Sequence, residues 1–470
     1  MLFNSFEFLV FLPIVFLLYW FAFKKLRAQN LFVVVASYLF YGWWDWRFLI
    51  LIAFTTLCSY ASGILLERQE GHRHIQRLIS IANIVLNLTI LGIFKYFNFF
   101  SENLQHLFQW FGFELDWVTL DILLPVGISF YTFQALSYTI DIYRHKMKPT
   151  HDIVAFFAFI SFFPQLVAGP IERATNLLPQ FESQRTFDYT AAVDGMRQIL
   201  WGLFKKIVVA DTCAVAVNQI FANYQTLDSL NLVWGAFLFT FQIYGDFSGY
   251  SDIAIGTAKL FGINLLQNFN FPYFSRDIAE FWRRWHISLT TWFRDYIYIP
   301  LGGNRVSTLK HIRNILVVWA LTGLWHGASW NFVLWGVYYG LFLLLEKFVL
   351  QKYLKKIPSW LCTVYTMLVV MIGWVFFSQT DFGALGHYLG TMFGIGASGF
   401  IDKTALYYLK TGFILLLISI LMCRPAPYQY FKRLVRRRPV AAVIINLILF
   451  ALSIAYMVYN SYTPFLYAKF

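Results

Sequence analysis

The sequence predicts an all-α polytopic integral membrane protein, with about ten to twelve transmembrane helices and re-entrant or interfacial helices beside them. Three observations predict it. Of the 470 residues, 59% are hydrophobic and 21% aromatic, while only 13% are charged, about half the usual globular share. The mean hydropathy is +0.58. The apolar runs are long and continuous, which suits bilayer-spanning helices and not the alternating strands of a β-barrel. A soluble core cannot hold that much apolar surface, so a soluble enzyme and a disordered chain are both excluded.

The elements follow in chain order. Apolar stretches occupy 5–23, 31–45, 47–66, 78–96, 120–142, 152–168, 193–222, 229–262, 311–349, 360–377, 407–423 and 440–460. The first is long enough to span, and its basic residues Lys24, Lys25 and Arg27 follow it, so it is not a cleavable signal. The stretches 229–262 and 311–349 are too long for one span, and each is expected to hold more than one helix. No repeat and no flexible linker interrupts the chain, so 1–470 reads as a single transmembrane domain.

The net charge is +13. In a polytopic membrane protein such an excess gathers in cytoplasmic loops, and no nucleic-acid partner is expected. Basic loops stand at 24–27, 67–77, 144–148 and 432–438. Their alternation along the chain places all four in the cytoplasm and both termini outside it. The stretch 97–118 carries Glu102, Glu114 and Asp116 and no Lys or Arg, which fits the outer side. The cysteines Cys58, Cys213, Cys362 and Cys423 form no CxxC pair and no metal-ligand spacing, so no metal site is expected.

Two regions break the apolar pattern. The first, Tyr244 to Asp252, sets Asp246, Ser248 and Asp252 and two glycines inside an apolar tract. The second, Arg276 to Arg305, is too polar to face lipid. Within it Trp282, Trp285, Leu289 and Trp292 fall at helical spacing, and Glu280 stands one turn before Arg283 and Arg284. This segment reads as an interfacial or re-entrant helix buried in protein. Gly302 and Gly303 after Pro300 mark a turn, not a nucleotide loop.

His326 is, apart from tyrosines, the sole ionisable side chain from Ile315 to Leu345. An ionisable group at membrane depth is costly and is retained for function. On a continuous helix Thr322 and Ser329 would share its face, while Gly323 and Gly327 would let another backbone approach. Two readings stand: a neutral imidazole acting as general base, or a structural histidine bonded to a neighbouring helix. His286, in Phe281-Trp-Arg-Arg-Trp-His286, belongs either to a site or to an aromatic-basic helix of the kind common at membrane interfaces. Asp246 and Asp252 either belong to a site or accept helix-end amides or an arginine. Arg276, Arg283, Arg284 and Arg294 either hold phosphates or anchor to membrane lipid head groups. The chain carries no P-loop, zinc-protease helix or GxSxG.

The run from Glu280 through Trp285-His286 to Arg305 resembles the signature of the membrane-bound O-acyltransferases, in the bacterial branch that contains the membrane subunits of alginate and peptidoglycan O-acetylation. Leu324-Trp325-His326-Gly327 is similar to the motif that carries the family's histidine, and Asp246-Phe-Ser248-Gly-Tyr-Ser-Asp252 to a third motif. Leu124–Phe130, Pro164–Pro170 and the opening Phe3–Phe8 match as well, so the resemblance covers at least residues 1–350. It implies a ring of tilted helices around a central funnel, with His326 and His286 as catalytic residues. Asp246, Ser248, Asp252, Arg283, Arg284, Thr322, Ser329 and Trp325 would line the site or bind substrate. It also implies acetyl-CoA as donor with no permanently bound cofactor, a periplasmic SGNH-type partner, and an extracytoplasmic polysaccharide as acceptor. The location would be the bacterial inner membrane. Within the family, D-alanyl transfer from a carrier protein to teichoic acid is the alternative. From another class, a non-catalytic transporter would also place polar residues inside a membrane.

Overall fold

A computed structural model of the chain describes residues 1–113, 123–167, 169–397, 399–459 and 465–466. Glu114 and Asp116, and the chain end beyond Leu466, lie outside the described residues. Those described are helical or irregular, without a β-strand. They form two compact units, one of 1–196 with 254–266, the other of 197–253 with 267–470.

The first unit begins with α1 (Phe6–Leu17), whose end is capped by the Ser5 hydroxyl accepting the Phe8 N–H. α2 (Leu26–Gly42) and α3 (Arg47–Arg68) follow. α4 (Arg73–Leu91) runs through a π turn, Gly92–Tyr96, into α5 (Phe97–Trp110). Next come α6 (Ile128–Tyr143), α7 (Ile153–Ser161), the single turn α8 (Phe163–Leu166) and α9 (Ala174–Glu182). The outward sides of α3 and α4 are apolar (Ile50, Phe54, Leu57; Leu78, Ile81, Val85), as lipid requires. Their inward sides are polar. Asn83 Nδ2 donates to Thr139 Oγ1 at 2.7 Å, and the Ser62 and Thr139 hydroxyls lie 3.3 Å apart, so Thr139 ties α3, α4 and α6. Gly127 has φ +79, and a Cβ there would stand 2.3 Å from Leu166 O, so the motifs at 124–130 and 164–170 meet through a glycine. Arg73 donates to Tyr143 O at 2.9 Å, and His151 pairs with Glu67 at 2.8 Å, so the loops at 67–77 and 144–148 are neighbours.

α10 (Tyr189–Leu203) and α12 (Ser229–Leu260) carry residues of both units. Between them stand a π turn, Phe204–Ala210, and α11 (Asp211–Ala222). The expectation that 229–262 holds more than one helix is corrected: α12 is one helix of 32 residues. Its glycines are packing surface, not breaks. A Cβ on Gly249 would meet Gly202 O at 2.7 Å, and one on Gly202 would meet Gly249 O at 2.5 Å.

The second unit continues with α13 (Ile278–Arg284), α14 (Ile287–Phe293), α15 (Thr308–His326), α16 (Trp330–Leu345), a single turn α17 (Gln351–Leu354) and α18 (Ser359–Ser378). The remaining helices are α19 (Phe382–Met392), α20 (Lys403–Met422), α21 (Pro425–Arg437) and α22 (Pro439–Tyr459). The stretch 311–349 does hold more than one helix, as its length predicted. α15 and α16 are drawn together by glycines: a Cβ on Gly323 would lie 2.1 Å from Phe332 O, and one on Gly336 would lie 2.1 Å from Trp319 O.

Six helices among the described residues are long and apolar enough to cross a bilayer: Arg47–Arg68, Arg73–Trp110, Trp330–Leu354, Ser359–Ser378, Lys403–Met422 and Pro439–Tyr459. The apolar Phe6–Ala22 is shorter. The expected ten to twelve also counted stretches whose helices are short, such as α2, α6 and α7 with 17, 16 and 9 residues. The protein is an all-α, multi-pass membrane protein.

Candidate active site

His326 is the last residue of α15. Gly327 leaves the helix with φ −165, extended backbone, and Trp330 opens α16. His326 Nδ1 lies 2.7 Å from Thr322 O. A carbonyl oxygen only accepts, so Nδ1–H donates, and in the neutral ring Nε2 keeps its lone pair. Thr322 therefore serves His326 through its backbone; its hydroxyl donates to Val318 O at 2.8 Å. The continuous helix that would have carried Ser329 is absent: α15 ends at His326, and Ser329 is the half-buried residue before α16.

His286 falls between α13 and α14, with φ +43, the left-handed region. The predicted single helix across 282–292 is thus broken at this residue. The strap before α13 takes over the backbone. Asn270 N–H donates to Arg284 O at 2.9 Å, Ile287 N–H to Asn268 O at 2.9 Å, and Ser288 Oγ to Asn268 Oδ1 at 2.6 Å. The burial prediction holds across the break: Trp282, Trp285, Leu289 and Trp292 are 3%, 0%, 1% and 4% exposed. The segment is packed into protein, as its charge required.

Forty residues apart in sequence, the two imidazoles come within 6.4 Å, centroid to centroid. Trp325 stands beside both, 5.0 Å from His326 and 5.8 Å from His286. Trp335 and Phe377 face His326 at 4.8 and 5.8 Å, and Phe247 meets His286 edge-on at 4.7 Å. Neither histidine is exposed beyond 3%. Burial first, and His326 second, hold the His286 imidazole well below the usual histidine pKa, so it is neutral.

Asp246, Ser248 and Asp252 lie elsewhere in the same unit, on α12, and they are engaged with lysines, not with the arginine or helix ends weighed from sequence. Lys206, 1% exposed, stands 2.5 Å from Asp246 and 2.8 Å from Asp211. Lys205 donates to Asp252 at 2.6 Å and to Ser248 Oγ at 3.2 Å. Asp246 also accepts the Leu466 N–H at 2.8 Å, and Phe465 stacks on Tyr250 at 4.6 Å. Phe247 joins this cluster to the histidines, since it neighbours both Phe465 and His286.

The arginines separate in kind. Arg284 pairs with Glu280 at 2.5 Å, and Arg294 with Asp295 at 2.8 Å. Arg276 and Arg283 instead line a cavity of about 890 Å³ together with His311, Lys347 and Lys355. Tyr298 and Lys347 sit 3.0 and 3.3 Å from His311. A second, largely apolar cavity of about 230 Å³ shares Ala279, Arg283, Tyr298, Ile315 and Leu343 with the first, is also lined by Arg294, and extends past Trp282 and Trp319 to Thr322. Thr322 is one turn before His326, and neither imidazole lines either cavity.

Sequence reasoning passed over Lys205, Lys206 and Asp211, for which two adjacent lysines inside an apolar tract were the available signal. It also passed over Trp335 and Phe377, which in sequence are two aromatics among many. Among the described residues, no three His, Cys, Asp or Glu side chains gather as a metal site.

Comparison with known proteins adds the family. The model of the membrane-bound O-acyltransferase family matches residues 147–380. A probable alginate O-acetylase, AlgI, of Pseudomonas aeruginosa is 39% identical over 94% of this chain and 85% of its own length. Its counterpart in Pseudomonas putida is 36% identical over the whole of both chains. The peptidoglycan O-acetyltransferase of Helicobacter pylori is 33% identical over 84% of this chain and 80% of its own.

Proposed function

This chain belongs to the membrane-bound O-acyltransferase family, and on that premise we propose that it O-acetylates an extracytoplasmic polysaccharide. The acceptor is an alginate-like exopolysaccharide or peptidoglycan. The donor is cytoplasmic acetyl-CoA, and the acetyl group leaves through a periplasmic SGNH-type protein. The chain works as one domain of the bacterial inner membrane, with its basic loops in the cytoplasm and both termini outside.

One observation carries this reading: two histidines from separate motifs converge in a buried aromatic enclosure, with His326 Nδ1 committed to a carbonyl. In the reaction, Nε2 of His326 takes the proton of the attacking hydroxyl as its oxygen bonds to the thioester carbonyl carbon. The C–S bond then breaks, and the departing thiolate recovers the proton. His286, neutral and buried, positions the reacting groups beside it. An acyl-enzyme relay on a nucleophilic side chain would use the same base. The large cavity supports the donor reading, since Arg276, Arg283, Lys347 and Lys355 suit phosphate groups and the adjoining apolar cavity suits an uncharged arm.

The test is transfer from acetyl-labelled acetyl-CoA in membranes holding the protein, with and without a purified SGNH-type protein. Thioester consumption that depends on this chain, and label on the SGNH protein or glycan, are expected. Membranes that leave the thioester intact would instead favour a transporter.

A further inference from the structure

We propose that Trp335, Trp374 and Phe377 form a wall that limits the transferred acyl group to a short chain. The inference rests on the acyl-CoA reading above and deepens it by naming what sets the donor's chain length.

With Nδ1 of His326 given to Thr322 O, the reacting groups gather at Nε2. Attack requires the acyl carbon about 3–3.5 Å from the acceptor oxygen, so the acyl tail must lie among the rings that face this imidazole. On α16 and α18 those rings are Trp335 at 4.8 Å and Phe377 at 5.8 Å. They are not thin cover. Trp335 lies 5.4 Å from Phe377 and 6.1 Å from Trp374, and Trp374 lies 5.7 Å from Phe377. All three are 0% exposed. Phe332 backs Phe377 at 5.0 Å, and a Cβ on Gly327 would already strike the Phe332 ring at 2.2 Å. Trp285 closes the next layer, 4.8 Å from Trp374. A close-packed interior yields little even to one methylene. An acetyl group needs no more than a methyl's room beyond its carbonyl, whereas each further carbon has to displace a ring that is itself held by rings.

The apolar cavity does not provide that room. It is lined by Trp319 and Thr322 on the α15 side and shares none of these three rings. It suits the donor's arm rather than the acyl tail. The rings therefore act as specificity-determining residues, while the base remains His326.

The experiment uses the full chain purified in detergent, with a purified SGNH-type protein as hydroxyl acceptor, acetyl-, propionyl-, butyryl- and hexanoyl-CoA as probes and released thiol as the readout. In the wild type, kcat/KM should fall about 10–200-fold for each added methylene at the wall. Phe377→Ala should raise the butyryl-to-acetyl ratio about tenfold or more, with Phe377→Leu and Trp374→Phe in between. Trp360→Ala, an exposed tryptophan on α18, should leave the ratio unchanged. Should Phe377→Ala fail to fold, Phe377→Leu carries the test, since it keeps most of the volume. Acetyl turnover with no chain-length discrimination in the wild type, or variants that lower all donors in proportion, would overturn the wall while leaving the donor reading intact. A wild type that cleaves no acyl-CoA of any length defeats the donor reading, and the wall with it.

Discussion

Lys206 carries its charge almost wholly out of water, held by carboxylates at 2.5 and 2.8 Å. Such a pair is weak evidence of net stabilisation, but breaking it from one side leaves an uncompensated buried charge, at a cost of about 3–5 kcal/mol. Lys206→Met should therefore lower the apparent melting temperature in detergent sharply, and Lys206→Met with Asp246→Asn should recover part of the loss. An unchanged melting temperature in the single variant would mean that the carboxylates find water or another partner. At Arg283 the expected effect is on the donor. Arg283→Ala should raise the KM for acetyl-CoA about tenfold or more, the equivalent of roughly 1.5–3 kcal/mol for a charge-assisted contact, with little change in folded yield. A folding defect with normal donor dependence would assign Arg283 to structure instead. His326 was legible as a candidate because an ionisable residue in an apolar run has few reasons to be there, whereas His286, beside Arg283 and Arg284, was legible only through the resemblance of its motif. The lysine partners of Asp246 and Asp252 were not, because they come from a helix some forty residues upstream and a carboxylate does not announce which cation it meets.

At the scale of elements, close approach between backbones decides the packing. Gly323→Ala puts a methyl 2.1 Å from Phe332 O, a rigid backbone atom, so α15 and α16 must part. That should remove most of the folded protein, whereas Gly386→Ala, with nothing within 4 Å, should be neutral or slightly stabilising. Equal yields of the two would contradict the packing. Spacing foresaw Gly323 as a contact point. Length misjudged α12, since a stretch too long for one span was expected to hold more than one helix, and its glycines Gly245 and Gly249 serve helix contact within one continuous helix. Spacing misread 282–292. Four apolar residues at helical intervals are buried as predicted, but periodicity carries no sign of a single left-handed residue, and that residue is His286. His286→Asn should keep the backbone, because asparagine tolerates that region, while a β-branched His286→Val adds about 1–2 kcal/mol of strain or more. Circular dichroism and melting of the two variants separate backbone strain from the loss of the imidazole.

For the whole molecule, composition and the long apolar runs together conveyed an all-helical membrane protein, because lipid leaves so few alternatives for the backbone. Counting spans was harder: helices shorter than a bilayer need neighbours to cover them, and their apolar runs look like spans. Topology is testable directly. Cysteine labelling in intact cells should find loops 24–27, 67–77, 144–148 and 432–438 all protected from a reagent that does not cross the membrane. The Arg73–Tyr143 contact already makes two of them neighbours, and labelling of either alone would contradict the arrangement. His326 is the proposed base for acyl transfer, and a single rate measurement tests that role. That measurement is the rate of labelled acetyl transfer from acetyl-CoA by His326→Gln, in protein shown to be inserted and monodisperse. Glutamine keeps a side-chain donor for Thr322 O and much of the volume, but it cannot take a proton from a hydroxyl. A loss of about 10²–10⁴ in rate with the fold retained is expected. Near-normal turnover by His326→Gln would make the histidine a structural residue and move the chemistry elsewhere.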